Sequence, residues 1–317
     1  MTKLLYVSHR LVEQCGVREF GRQHAAAIDG SAMYDLVFCE VNSAVEYFEY
    51  ADLVQPDVTF FNYMPQLMPW LADRDGKREL GGGKRVVVQH LYSEATVSSI
   101  MDGYGGLFDA MVCLDPSLNT GDPRVFAQHR PIPRTVPHGE LSDRTSIGSF
   151  GFGMPHKNFP LIAREINRCF DDAVFNLHMT VGGFAGDYSA GILAECQAEI
   201  TKPGIELVHT SQYLNKNEVI HALSRNHINA LFYELNQESP GISSSLDFLV
   251  AARRPVLLSD CALFRHVQYQ GSRFPETDFA WIMEHYIEMT AQAELTYTFQ
   301  SGWLRADTEK MLRVLLP

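Results

Sequence analysis

Residues 233–260 read YELNQESPGISSSLDFLVAARRPVLLSD. The stretch starts at the end of an apolar strand, turns at Pro240 and Gly241, continues as a helix over about 243–252 and finishes in a strand over 255–258. A strand, a helix and a second strand in this order predict parallel pairing through a right-handed crossover. The stretch therefore predicts an α/β fold built on a parallel sheet.

The rest of the chain repeats this alternation. Apolar runs without polar alternation are typical of strands that are covered on both faces. They predict strands over 4–9, 34–41, 58–63, 85–90, 108–114, 147–152, 174–181, 205–209 and 228–233. Amphipathic stretches predict helices over 18–28, 43–54, 159–170, 188–200, 217–224, 277–293 and 306–316.

The alternation is interrupted once, over residues 115–146, which are rich in Pro, Gly, Asp and Arg. A chain of 317 residues is long enough for two domains, and we take this segment as the connection between them. The prediction is two Rossmann-like domains, over 1–140 and 141–299, with parallel sheets facing a central cleft. Ligands of open α/β sheets bind at the carboxyl ends of the strands.

Composition narrows the possible partners. The net charge of -12 disfavours binding to nucleic acid and to anionic membrane surfaces. Six cysteines without metal or redox spacing indicate free thiols in a reducing compartment. The chain starts with an apolar strand rather than a signal-peptide layout, and no apolar run reaches the roughly 20 residues that span a bilayer. We expect a cytoplasmic protein without a transmembrane segment.

The helix start at Ser243, Ser244 and Ser245 is the first candidate site. A helix N-terminus offers free N–H groups and a partial positive charge, which suit a diphosphate, and the serine hydroxyls add donors. Asp247 lies one turn further on, where a carboxylate can accept hydrogen bonds from ribose hydroxyls. The alternative is that Ser243 is a plain helix cap, and the sequence leaves both interpretations open.

This block resembles the GT-B glycosyltransferases, most of all the retaining group that includes glycogen synthase and bacterial glycosyltransferases of family 4. The family pattern has a glutamate, a Gly-containing loop, a second acid on the helix, and a strand that ends in Ser-Asp. The matching positions here are Glu238, Gly241, Asp247, Ala251 to Val256 and Ser259-Asp260. Two departures stand out: the second acid is shorter and one position later than in the family, and Arg253 replaces a glycine. Glu234 is therefore also eligible as the acid that meets the sugar.

Residues 147–158, IGSFGFGMPHKN, resemble the first strand and loop of the family's donor domain. There a Gly-Arg pair and a following Lys-Asn neutralise the diphosphate. Gly151, Lys157 and Asn158 match this pattern, and Phe152 occupies the arginine position. The resemblance implies that Lys157 and the serine helix start stabilise the departing diphosphate. Without the resemblance, Lys157 reads as an exposed loop lysine.

Two features of the first half agree with the resemblance, and a third is a separate candidate. Gly16 follows the first strand, where the family has a Gly-Gly-Val loop that approaches donor phosphates or the acceptor. His90 ends a strand at a position where the family often has a histidine near the donor sugar; the alternative is an ordinary strand-end histidine. His9 and Arg10 end the first strand and are candidate acceptor contacts.

The resemblance implies transfer of a sugar from a nucleoside diphosphate sugar to an acceptor hydroxyl, with retention and without a metal or a resident cofactor. The donor is a co-substrate, and the acceptor is a glycan or a small molecule. The first domain would bind the acceptor and the second the donor, and the helix at 300–317 would pack back on the first. The alternatives are an inactive GT-B scaffold that binds nucleotide or glycan, and a sugar-nucleotide epimerase.

The predicted site has three groups of residues. Catalytic roles fall to His90, Lys157 and Glu238. The acceptor contacts are His9 and Arg10. The donor contacts are Gly16, Gly151, Lys157, Gly241, Ile242, Ser243, Ser244, Ser245 and Asp247.

Overall fold

The computed structural model describes residues 1–12, 15–29, 34–72, 80–81, 83–134, 138–180, 188–234, 241–267 and 272–316. The chain divides into two compact units. The first unit comprises Met1–Pro131, Pro240–Ile242 and Gln300–Pro317, and the second comprises Ile132–Ser239 and Ser243–Phe299.

The first unit contains a six-stranded parallel sheet. Its strands are β1 (Thr2–His9), β2 (Tyr34–Val41), β3 (Val58–Tyr63), β4 (Lys84–Gln89), β5 (Ala110–Cys113) and β6 (Val125–Ala127). They lie in the order β2-β1-β3-β4-β5-β6, and every adjacent pair is parallel. Its helices are α1 (Gly16–Asp29), α2 (Ala44–Val54), α3 (Pro69–Ala72) and α4 (Val97–Gly103).

The apolar strands form this sheet because both of its faces are covered. Leu5 and Val7 of β1 belong to one apolar cluster, and Leu4 and Tyr6 belong to another, all with no exposed surface. Alternate side chains of a strand point to opposite faces, so a continuous apolar run supplies two cores at once. The predicted α/β class with parallel sheets is confirmed.

The second unit contains another six-stranded parallel sheet. Its strands are β7 (Ser146–Phe152), β8 (Ala173–Thr180), β9 (Ile205–Thr210), β10 (Ile228–Leu231), β11 (Val256–Ser259) and β12 (Ser272–Phe274), in the order β12-β11-β10-β7-β8-β9. Its helices are α5 (Phe159–Cys169), α6 (Ser189–Glu199), α7 (Lys216–Ser224), α8 (Ser244–Ala252) and α9 (Phe279–Glu284). A last helix, α10 (Tyr286–Leu315), starts in this unit.

Each sheet has one point where the direction of its crossovers reverses. In the first sheet the chain goes from β1 outward to β2 and then returns to β3, so the switch point lies between β1 and β3. In the second sheet it lies between β7 and β10. The carboxyl ends of the strands beside a switch point are where open α/β sheets bind ligands.

The predicted connection over 115–146 is wrong in part. It contains strand β6, which pairs with β5, and the main segment of the first unit continues to Pro131. Strand β12 was not predicted either. Both strands have three residues, and β6 is only half-buried. Edge strands this short form through hydrogen bonds to a neighbour, so they leave no apolar pattern in the sequence.

The prediction of separate helices at 277–293 and 306–316 is also wrong. The break lies at His285, and α10 continues through residues 294–305. Threonines in that stretch lower helix propensity, because their hydroxyls compete for backbone groups. Throughout α10 the threonine hydroxyls donate to the carbonyl four residues earlier, inside that stretch at Thr296 and Thr298 and outside it at Thr290 and Thr308.

The last part of α10 packs within the first unit. Met311, Leu312 and Leu315 are buried in the apolar cluster that contains Leu4 and Tyr6. Asp307 accepts hydrogen bonds from the backbone N–H of His129 at 2.8 Å and from its Nδ1 at 2.7 Å. Apolar burial and this pair account for the assignment of residues 300–317 to the first unit.

Two further features of the described residues concern membrane-spanning helices and disulfide bonds. Within these ranges, no helix has the length and apolarity needed to cross a bilayer. All six cysteines are free thiols, and only Cys169 is not fully buried.

Candidate functional site

The switch point of the second sheet brings Lys157 and Tyr233 together. Lys157 ends the short 3-10 turn that follows β7, and Tyr233 lies two residues after β10. The Lys157 Nζ donates a hydrogen bond to the Tyr233 hydroxyl at 2.5 Å and lies 4.4 Å from the centre of its ring. Lys157 is only 7% exposed, so it is not the exposed loop lysine of the alternative interpretation.

The Tyr233 hydroxyl connects this lysine to the start of α8. It donates to Ser245 Oγ at 3.0 Å and accepts from Ser243 Oγ at 3.4 Å. Ser243 is the N-cap residue, but its side chain makes no capping hydrogen bond. In the described part of the chain, no group accepts from the backbone N–H of Ser244 or Ser245. The first turn of α8 therefore keeps free donors, as helix N-termini do.

Gly151 makes room for the lysine. Its φ of +141° lies in a region that favours glycine, and a Cβ there would lie 2.6 Å from Lys157 Nζ. No real Cβ approaches a neighbour so closely, so any side chain at this position would displace the ammonium group. The glycine of the predicted donor motif is thus explained by the lysine of the same motif.

The electrostatics of this cluster favour an anion. Within the described residues, no carboxylate pairs with Lys157. A buried cation without a counter-charge is unfavourable, and a helix N-terminus adds positive potential. Burial, and then the charge of Lys157, lower the pKa of His156, so this imidazole is neutral. Phe152, at the family's arginine position, is 40% exposed and supplies no charge.

The predicted acids have different surroundings. Asp247 is 3% exposed, and its Oδ1 accepts from Nε2 of the buried His266 at 2.9 Å. Its carboxylate therefore has a partner within the protein, and the predicted ribose contact stays a prediction. Glu234 is exposed, and its Oε2 lies 3.5 Å from Asn158 Nδ2. Glu238 lies outside the described residues.

His90, in the first unit, lies beside the switch point between β1 and β3. Its Nε2 is 2.7 Å from Asn62 Oδ1, while Asn62 Nδ2 donates to Ser8 Oγ at 3.0 Å and to the carbonyl of Val17 at 2.7 Å. The amide nitrogen of Asn62 is thus fixed towards two acceptors. Its oxygen must accept from Nε2–H of His90, which leaves Nδ1 of His90 as an acceptor.

Burial makes this histidine neutral. Desolvation, followed by the charge of Arg130, lowers the pKa of His90 to about 3. The same two causes lower the pKa of His24 to about 3, and His24 Nδ1 bonds the Tyr6 hydroxyl at 2.9 Å. At neutral pH both rings are uncharged, so His90 offers a lone pair to a neutral hydroxyl.

The two residues predicted to contact the acceptor, His9 and Arg10, differ in burial and in hydrogen bonding. His9 has no exposed surface, and neither ring nitrogen has a hydrogen-bond partner among the described residues. Buried polar atoms without partners are rare and point to a ligand or a bound water. Arg10 is half exposed and donates to Glu46 Oε1 at 2.9 Å. Only His9 remains placed for a buried contact.

Three predicted donor positions lie in the first unit. Gly16 is the exposed first residue of α1, and a Cβ there would meet nothing within 4 Å. Gly241 has a φ of +95°, donates to the carbonyl of Tyr92 at 3.2 Å, and would place a Cβ 3.0 Å from the carbonyl of His90. Ile242 packs against both apolar clusters of this unit.

The structure therefore places the predicted residues in two groups. Gly151, Lys157, Ser243 and Ser245 meet in the second unit, and His90, Gly241 and His9 belong to the first. Tyr233, which links Lys157 to Ser243 and Ser245 in the second unit, was not predicted. A signal was present, because Tyr233 lies two residues after strand β10, at the ligand-binding edge of the sheet. Among the described residues, no cluster of three or more His, Cys, Asp or Glu side chains is arranged to hold a metal ion.

Comparisons with known proteins agree on the fold. No protein-family model matches the sequence, and no curated protein resembles it significantly in sequence. Among solved structures, Anabaena Alr3699/HepE in complex with UDP-glucose is 9% identical with a TM-score of 0.65, over 99% of this chain and 100% of that chain. The trehalose-6-phosphate synthase OtsA is 10% identical with a TM-score of 0.64, over 99% of both chains.

A third structure matches over a smaller share. S. aureus TarM, as a mutant in complex with fondaparinux, alpha-GlcNAc-glycerol and UDP, is 9% identical with a TM-score of 0.61, over 85% of this chain and 58% of that chain. These three proteins are GT-B glycosyltransferases. At identities of this size the likeness shows the fold, which is GT-B, as the sequence predicted.

Proposed function

We propose that this protein transfers a sugar from a nucleoside diphosphate sugar to an acceptor hydroxyl. One observation carries the proposal: the buried ammonium of Lys157 lies in one hydrogen-bonded cluster with the start of α8, and no described carboxylate neutralises it. The backbone N–H groups of Ser244 and Ser245 in the same place have no acceptor among the described residues. A diphosphate supplies the missing negative charge. The glycosyltransferases that share the fold bind UDP or UDP-sugars, so a UDP-sugar is the first donor to test.

The chemistry assigned to the second unit is stabilisation of the leaving group. In the reaction the bond between the anomeric carbon and the diphosphate oxygen breaks, and the diphosphate departs with the electron pair. Lys157 and the amides of Ser244 and Ser245 bind the charge that develops on it. Fixed donors of this kind act most strongly where water is excluded. A metal ion is not needed for this stabilisation.

The first unit is assigned to the hydroxyl-bearing part of the reaction. The acceptor oxygen forms a bond to the anomeric carbon, and its proton passes to the departing diphosphate oxygen. Nδ1 of His90 accepts a hydrogen bond from a sugar hydroxyl. The ring of His9, which has no hydrogen-bond partner among the described residues, contacts the acceptor. Glu238 orients the donor sugar, as the resemblance implies. Retention of anomeric configuration is proposed on the same resemblance.

The alternative of a scaffold that binds without turnover has one specific observation in its favour. Phe152 stands where the family has its second diphosphate-binding cation, and 40% of it is exposed. Loss of one preorganised cation costs about 100- to 1,000-fold in rate. A protein with this substitution can retain nucleotide binding and lose transfer.

Thermal unfolding with a panel of UDP-, GDP-, ADP-, CMP- and dTDP-sugars tests the donor site. A ligand at 100 times its dissociation constant adds about 2.7 kcal/mol to stability and raises the midpoint by several degrees. We expect one nucleotide series to shift the wild type and the Lys202→Ala control, and not Lys157→Ala. Lys202 lies in the same unit and carries the same charge, but it pairs with Asp171. No shift with any nucleotide would contradict the donor site.

Turnover then separates the alternatives. Release of nucleoside diphosphate that depends on an added hydroxyl acceptor supports transfer. Nucleotide binding without release supports the scaffold. A change of the donor sugar without an acceptor supports an epimerase.

A further inference from the structure

We infer that Tyr233 is a positioning residue that holds the Lys157 ammonium at the start of α8, in the proposed diphosphate site. The inference rests on the proposed function. Tyr233 matches no position of the family pattern, and it was not among the predicted site residues.

The tyrosine contacts the lysine in two ways. Its hydroxyl accepts a hydrogen bond from Nζ, and its ring lies 4.4 Å below the same atom. An ammonium over an aromatic face is attracted by the ring, most strongly when water is excluded. Lys157 is 7% exposed and Tyr233 is 4% exposed, so both contacts are buried.

The hydroxyl also sets where the ammonium lies. It donates its own proton to Ser245 Oγ and accepts from Ser243 Oγ, and both serines belong to the start of α8. The tyrosine hydroxyl is therefore hydrogen-bonded both to the lysine and to the start of α8, where the amides of Ser244 and Ser245 lie. Nζ has three protons and the phenol takes one, so two have no acceptor among the described residues and can bind a ligand.

The tyrosine is itself held from several sides. The backbone oxygen of Tyr233 accepts from Ser259 Oγ at 2.9 Å, and its ring packs against Phe264 and His156 at centroid distances of 4.9 and 5.8 Å. A ring fixed in this way gives the lysine one position. Preorganisation of a cation reduces the ordering cost of binding an anion.

The test compares nucleoside diphosphate with nucleoside monophosphate binding, measured by calorimetry. Tyr233→Phe keeps the ring and removes the hydroxyl, and Tyr233→Leu removes both contacts. We expect diphosphate affinity to fall about tenfold in Tyr233→Phe and at least about threefold further in Tyr233→Leu. Monophosphate affinity should change little, whereas a general structural defect would weaken both nucleotides.

A double-mutant cycle with Lys157→Met sharpens the test. If the tyrosine acts through the lysine, Tyr233→Phe has no further effect on diphosphate affinity once Lys157 is replaced. Tyr286→Phe is the matched control, because the hydroxyl of Tyr286 has no hydrogen-bond partner among the described residues. Unchanged or tighter diphosphate binding in both Tyr233 variants would overturn the inference while the proposed function stands.

Chemical labelling gives a readout without any nucleotide. Brief acetylation followed by mass spectrometry reports the reactivity of each lysine, with the other lysines as internal references. We expect Lys157 to react slowly in the wild type and at least about fivefold faster in Tyr233→Leu, because it loses both buried contacts. Equal rates would overturn the positioning role, even if no nucleotide binds and the proposed function has failed.

Discussion

The two sheets have the same parallel architecture, yet the residues at their switch points have opposite chemistry. Beside β1 and β3 lie neutral imidazoles, with the pKa of His90 and of His24 lowered to about 3 by burial and by Arg130. Beside β7 and β10 lies a buried cation, Lys157, with a phenol and two serines. In such a fold ligands bind at the carboxyl ends of the strands beside a switch point. The residues at those strand ends determine whether the site suits a neutral or a charged ligand.

This difference matches the two halves of the proposed substrate pair. A sugar or acceptor hydroxyl is neutral, and it needs hydrogen-bond acceptors rather than charge. A diphosphate is anionic, and it needs a cation and free N–H donors. A substitution at one switch point should therefore affect either diphosphate binding or the contacts with substrate hydroxyls, and leave the other unchanged.

The largest effect is expected from Lys157→Ala. Removal of the buried Lys157 ammonium should lower turnover about 100- to 1,000-fold and weaken diphosphate binding. Steady-state kinetics with the donor found in the thermal panel measures this. Lys202→Ala should remain within about twofold of the wild type, and an equal loss in both variants would show a general charge effect.

A smaller effect is expected from Gly151→Ala. The added Cβ would lie 2.6 Å from Nζ at a φ of +141°, so the ammonium must move out of its position. Because charge-assisted hydrogen bonds are lost, diphosphate affinity should fall about 10- to 100-fold by calorimetry. Gly191→Ala is the matched control, since a Cβ there meets nothing within 4 Å. Unchanged affinity in Gly151→Ala would mean that the position of the ammonium is unimportant.

His90→Asn tests the neutral switch point. Loss of its acceptor nitrogen should lower turnover about tenfold, because one hydrogen bond to a substrate hydroxyl is removed. The affinity for free nucleoside diphosphate should stay the same, which separates this variant from Lys157→Ala. The exposed His221 on α7 supplies the control His221→Asn. A parallel loss of diphosphate affinity would contradict the division of roles.

The smallest effect concerns stability against pH. His24 has a pKa of about 3 in the folded chain and an ordinary value of 6.5. Below pH 6.5 the unfolded chain binds a proton that the folded chain does not, so the free energy of unfolding falls as pH decreases from 6.5 towards 3. The contribution is about 1.4 kcal/mol per pH unit. Denaturant unfolding between pH 6 and 4.5 measures the slope of the free energy of unfolding against pH. This slope should be smaller by this amount in His24→Gln than in the wild type. Equal slopes in the two proteins would contradict a neutral, buried His24.

The fold was largely predictable because its strands are continuous apolar runs. The prediction failed where the signal lay in hydrogen bonds rather than in hydrophobicity. Strands β6 and β12 have three residues each, and the threonines of α10 satisfy their hydroxyls within the helix. None of these features has an apolar period that a sequence can reveal.

The site was predictable in part, for a similar reason. Gly151, Lys157 and the serine helix start follow a local pattern, and they do meet. Tyr233 was missed because its role depends on two loops 76 residues apart in the chain. The contact between Asp247 and His266 was not predicted either, because His266 comes from a different segment. Pairings between distant segments are determined by packing, which spacing along the chain does not report.

A crystal structure of the protein with a bound nucleoside diphosphate tests the central claim most directly. We expect phosphate oxygens within about 3 Å of Lys157 Nζ and of the amides of Ser244 and Ser245, at the carboxyl ends of β7 and β10. A nucleotide bound elsewhere, with the Lys157 ammonium still contacting only Tyr233 at saturating nucleotide, would contradict the account.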